Sequence, residues 1–293
     1  MNDPAPLDAA LLRSFPLPHL PEDGDKEERG RLLIVGGSRE VPDAALLAGL
    51  TGMRAGAGKL QIATGASVAI ALGVAIPEAR VIGLEETKDG SLAASAATAL
   101  LELAGEAQAI VVGCGLQHGP AMDALLDRLL AAKLDCPLVL DAAVLGSLAP
   151  RAAVVRDWPG GTALLPHPRE MARLLECEAE EVEADPLRAA RRAAETYGAV
   201  ALVKGQYSFV ATPDGRAFRF RGGGIGLATS GSGDVLAGIV GGLAGRGADP
   251  LTATLHGVWL HGEAGRLLTE RVGRVGFLAR EIPDEVPGLL ATI

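Results

Sequence analysis

Gly222-Gly223-Gly224-Ile225-Gly226-Leu227-Ala228-Thr229-Ser230-Gly231-Ser232-Gly233-Asp234-Val235-Leu236-Ala237-Gly238 is a glycine-rich loop running into an apolar helix. Ser230 or Ser232 is placed to cap that helix, and Gly231 and Gly233 leave backbone N–H groups unobstructed by side chains. Free amides and the positive end of a helix together make an anion-binding site. Asp234 falls in the first helical turn, beside that anion. A carboxylate there has two readings. It is a favourable first-turn acid, contributing ~0.3–1 kcal/mol, or it stands against a transferring phosphate and accepts a proton from an attacking hydroxyl. The density of glycines favours the second.

Working outward, Tyr207–Ala211, the turn Pro213-Asp214-Gly215 and Ala217–Phe220 read as an antiparallel hairpin at a sheet edge. Upstream, short β-prone runs recur at Arg31–Val35, Lys59–Ala63, Arg80–Gly83, Ala109–Val112, Leu138–Leu140, Ala163–Leu165 and Val200–Val203. Several are apolar throughout, as in strands covered on both faces. Helical stretches lie between them at Ala44–Ala55, Ser91–Leu103, Ala121–Lys133, Pro168–Leu175 and Pro186–Tyr197. This alternation predicts an α/β fold with a mainly parallel central sheet, helices on both faces and an edge hairpin. Such sheets bind ligands at the carboxyl ends of their strands. Residues 1–29, rich in Pro and acids, read as an N-terminal surface arm with a short helix near Leu7–Phe15. Residues 30–293 carry no linker and no repeat, which points to a single domain.

Composition narrows the function. Of 293 residues 48% are apolar but only 3% aromatic, so the core is built from Ala, Val, Leu and Ile, with 39 glycines allowing close approach. A net charge of −9 argues against a broad nucleic-acid footprint. It does not exclude a nucleotide, whose phosphates a few amides and one or two local cations can hold. Cys114, Cys136 and Cys177 are an odd set without a CxxC pair, so neither a disulfide framework nor a zinc site is expected. The N-terminus lacks the basic start and apolar stretch of a signal peptide, and no run approaches the ~18 apolar residues of a membrane helix. A soluble, cytoplasmic protein is expected.

Two familiar phosphate motifs fail. Gly56-Ala57-Gly58-Lys59-Leu60 resembles a Walker loop, but Leu60 replaces the Ser/Thr and Met53 the first glycine. After Gly113-Cys114-Gly115 the third glycine of a dinucleotide fingerprint is His118. Lys204-Gly205 emerges at the carboxyl end of a strand, either as a solvated lysine or as a counter-charge to phosphate. Pro168 suits the first position of a helix and Glu170 its first turn. His167, between Pro166 and Pro168, is therefore held extended, as a structural residue or a ligand contact.

Together these segments resemble the ADP/ATP-dependent NAD(P)H-hydrate dehydratases, a branch of the ribokinase-like superfamily. The likeness rests on Gly30-Arg31-Leu32-Leu33-Ile34-Val35-Gly36-Gly37-Ser38, Pro166-His167-Pro168-Arg169-Glu170, Val203-Lys204-Gly205, Gly226 to Gly238 and Leu260-His261-Gly262-Glu263-Ala264-Gly265, colinear from about residue 26 to 290. The long glycine motif marks the superfamily; Gly36-Gly37-Ser38 and Pro-His-Pro narrow it to the dehydratases. The resemblance implies a ribokinase-like three-layer sandwich and a repair reaction. Hydrated NADH or NADPH is phosphorylated at its new hydroxyl by ADP or ATP, and phosphate then leaves to restore the ring double bond.

Residue by residue, the resemblance places the hydrate near Ala44, Gly115, His167 and Asp234. The nucleotide falls at Lys204, Gly205, Gln206, Tyr207 and Ser208, with Gly231, Ser232 and Gly233 around the phosphoryl group; Asp234 is the catalytic candidate. It also implies Mg²⁺ held mostly by phosphates and water, without protein metal ligands, and a homo-oligomer such as a tetramer. Departures are Asp141-Ala142-Ala143 where the family shows Asp-Ala-Asp, Gly113-Cys114-Gly115 for Gly-Pro-Gly, and Val41-Pro42-Asp43 before Ala44. The chain is too short for the epimerase domain fused to some members. Two other readings share these residues. One is a vitamin-precursor kinase on the same fold, separated by whether hydrated NADH is turned over; the other is a diverged nucleotide-binding paralogue, separated by ADP binding without turnover.

Overall fold

The structure, a computed structural model, describes residues 3–19, 26 and 28–293. Its centre is a ten-stranded sheet built from the apolar runs. In chain order the strands are β1 (Ala5–Pro6), β2 (Arg31–Val35), β3 (Lys59–Gly65), β4 (Ala79–Leu84), β5 (Ala109–Val112), β6 (Leu138–Leu140), β7 (Thr162–Leu164), β8 (Val200–Val203), β9 (Tyr207–Ala211) and β10 (Ala217–Arg221). They lie side by side as β1-β10-β9-β8-β7-β6-β5-β2-β3-β4. Every pairing is parallel except those of β9, which runs against both β8 and β10.

Among the described residues twelve helices cover the sheet: α1 (Ala9–Leu12), α2 (Asp43–Arg54), α3 (Ala66–Ala75), α4 (Ala97–Ala104), α5 (Pro120–Ala131), α6 (Ala152–Arg156), α7 (Pro168–Leu175), α8 (Ala179–Ala184), α9 (Pro186–Tyr197), α10 (Ser232–Gly245), α11 (Pro250–Arg271) and α12 (Ile282–Leu290). Successive strand residues point to opposite faces. Leu32 and Ile34 therefore enter one core with α2, α10, α11 and α12, while Leu33 and Val35 enter a second with α4, α5, α7 and α9. All four are fully buried, so the uninterrupted apolar run is what a doubly covered strand requires. The three-layer, mainly parallel architecture expected from the alternation is the one observed.

The tightest helix contact joins α10 to α2, and it needs glycine. A Cβ on Gly238 would lie 2.3 Å from the Ala48 carbonyl oxygen, so any larger residue would push the two backbones apart. This contact fixes the start of α10 relative to the start of α2, and hence the relative placement of Asp234 and Asp43.

Three features differ from the sequence reading. α3 was not anticipated, because Ala-Ser-Val-Ala-Ile-Ala-Leu-Gly-Val-Ala shows no amphipathic period; Ile70 and Val74 stand out from it, 83% and 80% exposed. The helix expected from Ser91 starts only at Ala97. The Ser91 carbonyl accepts from the Thr87 N–H (2.8 Å), closing a turn ahead of a bridge between Glu86 and Leu92. The hairpin is not the outermost element, since β1 pairs beyond β10. Leu7 and Leu12 are buried there, Phe15 stands edge-on to Phe218 at 5.7 Å, and His256 Nε2 donates to the Phe15 carbonyl at 2.8 Å.

Candidate active site

β6, β7 and β8 end side by side, and each delivers a polar group to the same edge. Asp141 follows β6, its backbone N–H donating to the Val112 carbonyl at 3.1 Å. His167 follows β7, and Lys204 follows β8 with its N–H donating to the Pro166 carbonyl at 3.0 Å. Held this way, Lys204 Nζ reaches Asp141 Oδ1 at 2.8 Å. Asp141 is 2% exposed, so its charge is compensated almost wholly by that ammonium.

The glycine turn faces this ion pair. A Cβ on Gly233 would sit 3.5 Å from Lys204 Nζ and 3.9 Å from Asp141 Oδ2. Gly231 occupies the N-cap of α10 with φ +86°, a left-handed conformation that L side chains rarely adopt. Neither serine caps the helix, contrary to the sequence expectation. Ser232 instead places its hydroxyl 2.9 Å from His261 Nε2 on α11. The opening turn of α10 is thus left for an outside acceptor.

Lys204, Gly205, Gln206, Ser208, Ser232 and Gly233 line one cleft of about 1020 Å³, and His167 joins them at its rim. Phe220, Leu236 and Val258 give it an apolar wall, and Arg274 adds a cation. Tyr207 is not part of it. Strand alternation sends Ser208 toward the cleft and Tyr207 to the opposite face, where its ring lies between the Arg219 and Arg221 guanidiniums, each 5.7 Å from its centroid. Asp234, Gly231, Ala44 and Gly115 are not among the residues that line the cleft; Ala44 and Gly115 lie against each other, where a Cβ on Gly115 would fall 2.8 Å from that of Ala44. Ala44 is 2% exposed, side chain and backbone together, so little of it is open to a ligand.

The electrostatics are set by burial against a few charges. Burial pushes the half-buried Asp234 carboxyl above its ordinary value; the Cys114 thiol and Lys204 pull it back and Asp43 adds to the rise. Burial likewise raises Asp141, to about 6 with Lys204 pulling down and Glu170 pushing up, so it is ionised at neutral pH. Burial pulls Lys204 down, but Asp141 and Glu170 outweigh it and the net shift is upward. His167 is lowered by burial, with Glu170 opposing. Its Nδ1 accepts the Arg169 and Glu170 amides at 3.1 and 3.3 Å, which caps α7 and leaves Nε2 as the N–H, 3.4 Å from Glu170 Oε1. Burial drives His261 down to about 4.

Sequence reading missed Asp141 as the partner of Lys204, Cys114 as a neighbour of Asp234, and His261 as the partner of Ser232. Asp141 carried a signal, an acid directly after a buried strand, as did His261, a histidine within an apolar helix. Cys114 carried none.

A three-layer parallel sheet whose strand ends present a lysine, an acid and an uncapped glycine-opened helix defines a ribokinase-like phosphoryl-transfer protein. Comparison with known proteins narrows the class. A family model described as NAD(P)H-hydrate dehydratase matches residues 32–288. An ADP-dependent (S)-NAD(P)H-hydrate dehydratase of Xanthomonas campestris is 49% identical over 96% of this chain and 94% of its own length. A bifunctional NAD(P)H-hydrate repair enzyme of Moorella thermoacetica is 38% identical over 98% of this chain, which spans 54% of that longer protein. Among solved structures, the ADP/ATP-dependent NAD(P)H-hydrate dehydratase of Bacillus subtilis, co-crystallised with ATP and Mg²⁺, superposes with a TM-score of 0.82 at 31% identity, covering 100% and 99% of the two chains. This chain belongs to the NAD(P)H-hydrate dehydratase family.

Proposed function

We propose that the chain dehydrates (6S)-hydrated NADH or NADPH at the expense of ADP or ATP, releasing AMP or ADP together with phosphate. The observation that carries this is the uncapped Gly231–Gly233 turn facing the Lys204–Asp141 pair, with Asp234 one residue further into the helix. Asp234 orients the hydrate hydroxyl and takes its proton as the oxygen bonds to the terminal phosphorus of the donor and the donor's bridging P–O bond breaks. The amides of the turn and Lys204 stabilise the charge on the moving phosphoryl group. In the second stage the ring C–O bond breaks, phosphate departs with the bonding pair, and the adjacent carbon loses a proton to regenerate the double bond. Phosphate leaves far more readily than hydroxide, which is why the enzyme spends a nucleotide on a dehydration.

Gly205, Gln206, Ser208, Ser232 and Gly233 are assigned to the nucleotide by their place on the cleft. Tyr207 contributes its backbone, given the direction of its ring. Ala44, Gly115 and His167 are assigned to the hydrate. Among the described residues no three His, Cys, Asp or Glu side chains converge on a metal position, and Asp141, the acid across from the turn, is already paired with Lys204. These residues fit a Mg²⁺ that arrives with the nucleotide, held by phosphate oxygens and water. Bound there, it would offset phosphate charge.

We further infer one catalytic domain over residues 30–293, onto which the described N-terminal residues 3–19 pack, with β1 against β10 and Leu7 and Leu12 in the core. The three unpaired cysteines support a cytoplasmic, reducing location. A homo-oligomer is supported by the uncharged, outward face of α3 beside the edge strand β4. The deciding experiment incubates the chain with hydrated NADH and either ADP or ATP while nicotinamide absorbance is followed. Return of absorbance with neither donor would remove the assignment of a phosphorylating dehydratase, as would no return with either.

A further inference from the structure

The segment Pro166-His167-Pro168-Arg169-Glu170 opens α7, and its first turn closes on itself. His167 Nδ1 accepts the Arg169 and Glu170 amides at 3.1 and 3.3 Å. In return the Glu170 carboxylate reaches back, and its Oε2 accepts the His167 N–H at 2.9 Å. The other oxygen, Oε1, stands 3.4 Å from His167 Nε2. Glu170 therefore holds the histidine at both backbone and ring. The two side chains differ in what they meet. His167 lines the cleft, its side chain 48% exposed, whereas Glu170 is 16% exposed and is not among the residues lining it. Whatever Glu170 does for a ligand in that cleft, it does through His167.

We propose that Glu170 is a positioning residue for His167, fixing its ring at the rim of the cleft as the neutral Nε2–H tautomer, so that the hydrate meets a ring of set orientation that neither gives nor takes a proton. This rests on the assignment of His167 to the hydrate given above. A ring nitrogen that accepts two amide N–H groups carries no proton, so the proton of the neutral ring sits on Nε2. A second proton, added at Nδ1, would turn one N–H toward two others, and the cap of α7 would have to break. Burial acts in the same direction and lowers His167, as do Lys204, Arg173 and Arg169, with Glu170 opposing. Both nitrogens are thus spoken for. Nδ1 is not free to act as a base, and Nε2–H stands against a carboxylate rather than against a leaving group. The proton of the attacking hydroxyl is left to Asp234, and His167 serves by shape and orientation.

The test uses the full chain and three variants, Glu170→Gln, Glu170→Ala and His167→Asn. Nitrogen NMR of histidine-labelled protein reads the tautomer, and His167→Asn identifies the His167 signals among the five histidines. In the unsubstituted chain His167 should show a bare Nδ1 and a protonated Nε2. Glu170→Gln keeps an oxygen for the His167 N–H, but its His167 should titrate at lower pH, because a carboxylate that favours the charged ring is gone. In Glu170→Ala the KM for the hydrate should rise about fivefold, the size of one ordinary hydrogen bond, with little change in the KM for ADP. Asparagine at 167 keeps an acceptor for the two amides, so His167→Asn should raise the KM for the hydrate without removing a limb of the kcat/KM profile against pH. An Nδ1–H tautomer overturns the proposal, as does an unmoved titration of His167 in Glu170→Gln, a readout that holds even if the alanine variant folds poorly. A limb lost in His167→Asn also overturns it, by making the ring an acid or a base. Equal rises of both KM values in Glu170→Ala would mark a role in folding alone. Should His167→Asn leave the KM for the hydrate unchanged, the assignment of His167 to the hydrate fails and takes the proposal with it; a raised KM there beside an unmoved titration in Glu170→Gln sinks this inference alone.

Discussion

Replacing Lys204 with methionine keeps most of the side-chain volume and removes one charge from a buried pair. Asp141 is 2% exposed and the Lys204 side chain 19%, so water cannot take over the ammonium's task. Stripping one partner from a buried pair destabilises by about 3–5 kcal/mol when the other charge is trapped. Asp141 has an escape. Burial already raises it to about 6 while Lys204 pulls it down, so without Lys204 it takes up a proton near neutrality. That places the loss at the lower end, about 3 kcal/mol. With an unfolding entropy of roughly 2.1 cal/mol/K per residue, the 293-residue chain gives about 0.6 kcal/mol/K and a Tm lower by about 5 °C.

The sign of the pH dependence follows. An acid whose folded pKa exceeds its unfolded value binds protons more tightly when folded, so its stabilising contribution is full below 3.8 and is lost as pH rises through about 6. In Lys204→Met the folded value climbs further and the loss extends to higher pH. Asp141→Asn combined with Lys204→Met removes that dependence. Nucleotide binding supplies the functional half of the test. A hydrogen bond to a charged group contributes about 1.5–3 kcal/mol, so the Kd for ADP by titration calorimetry should rise about 10- to 150-fold in the single and the double variant, with hydrate affinity much less affected. A lower Tm with unchanged ADP affinity would make Lys204 merely the partner of Asp141. Hydrate binding that weakens more than ADP binding would refute the placement of the nucleotide.

Asp234→Asn should abolish turnover while an ADP-induced thermal shift survives, and in the unsubstituted chain the acid limb of kcat/KM should lie above the ordinary carboxylate range. The reason is that Asp234 must be ionised to act and burial raises its pKa, so rate is lost as pH falls. Gly231→Ala would place a Cβ 2.5 Å from Leu47 Cδ1 at φ +86°; it should destabilise by about 1–2 kcal/mol in chemical denaturation and weaken ADP binding. Chelation by EDTA should stop turnover, reversibly on adding Mg²⁺, while the Tm of the ligand-free chain stays put, since no described cluster holds a metal.

The parallel sheet was legible because β2, β5, β6 and β8 are short apolar runs covered on both faces, a signature that needs no tertiary information. α3 was not. Its uncharged sequence is amphipathic in neither period, and it became a helix by packing Leu72 under β3 and β4 while leaving Ile70 and Val74 outside. The place of β1 was equally hidden, because two residues pairing with a strand more than two hundred positions away leave no local pattern.

For the site, local spacing found the amides and the lysine but not what they face. Ser232 shows why. As an N-cap candidate in sequence it has every qualification, yet His261, twenty-nine residues on, binds its hydroxyl at 2.9 Å and leaves the helix uncapped. An uncapped helix start is what a phosphate needs, so the pairing that defeats the local rule also keeps the cradle open. His261 suits this role because burial holds it down to about 4. It stays neutral at physiological pH and can bind the hydroxyl without adding a positive charge to a site that Lys204 already supplies.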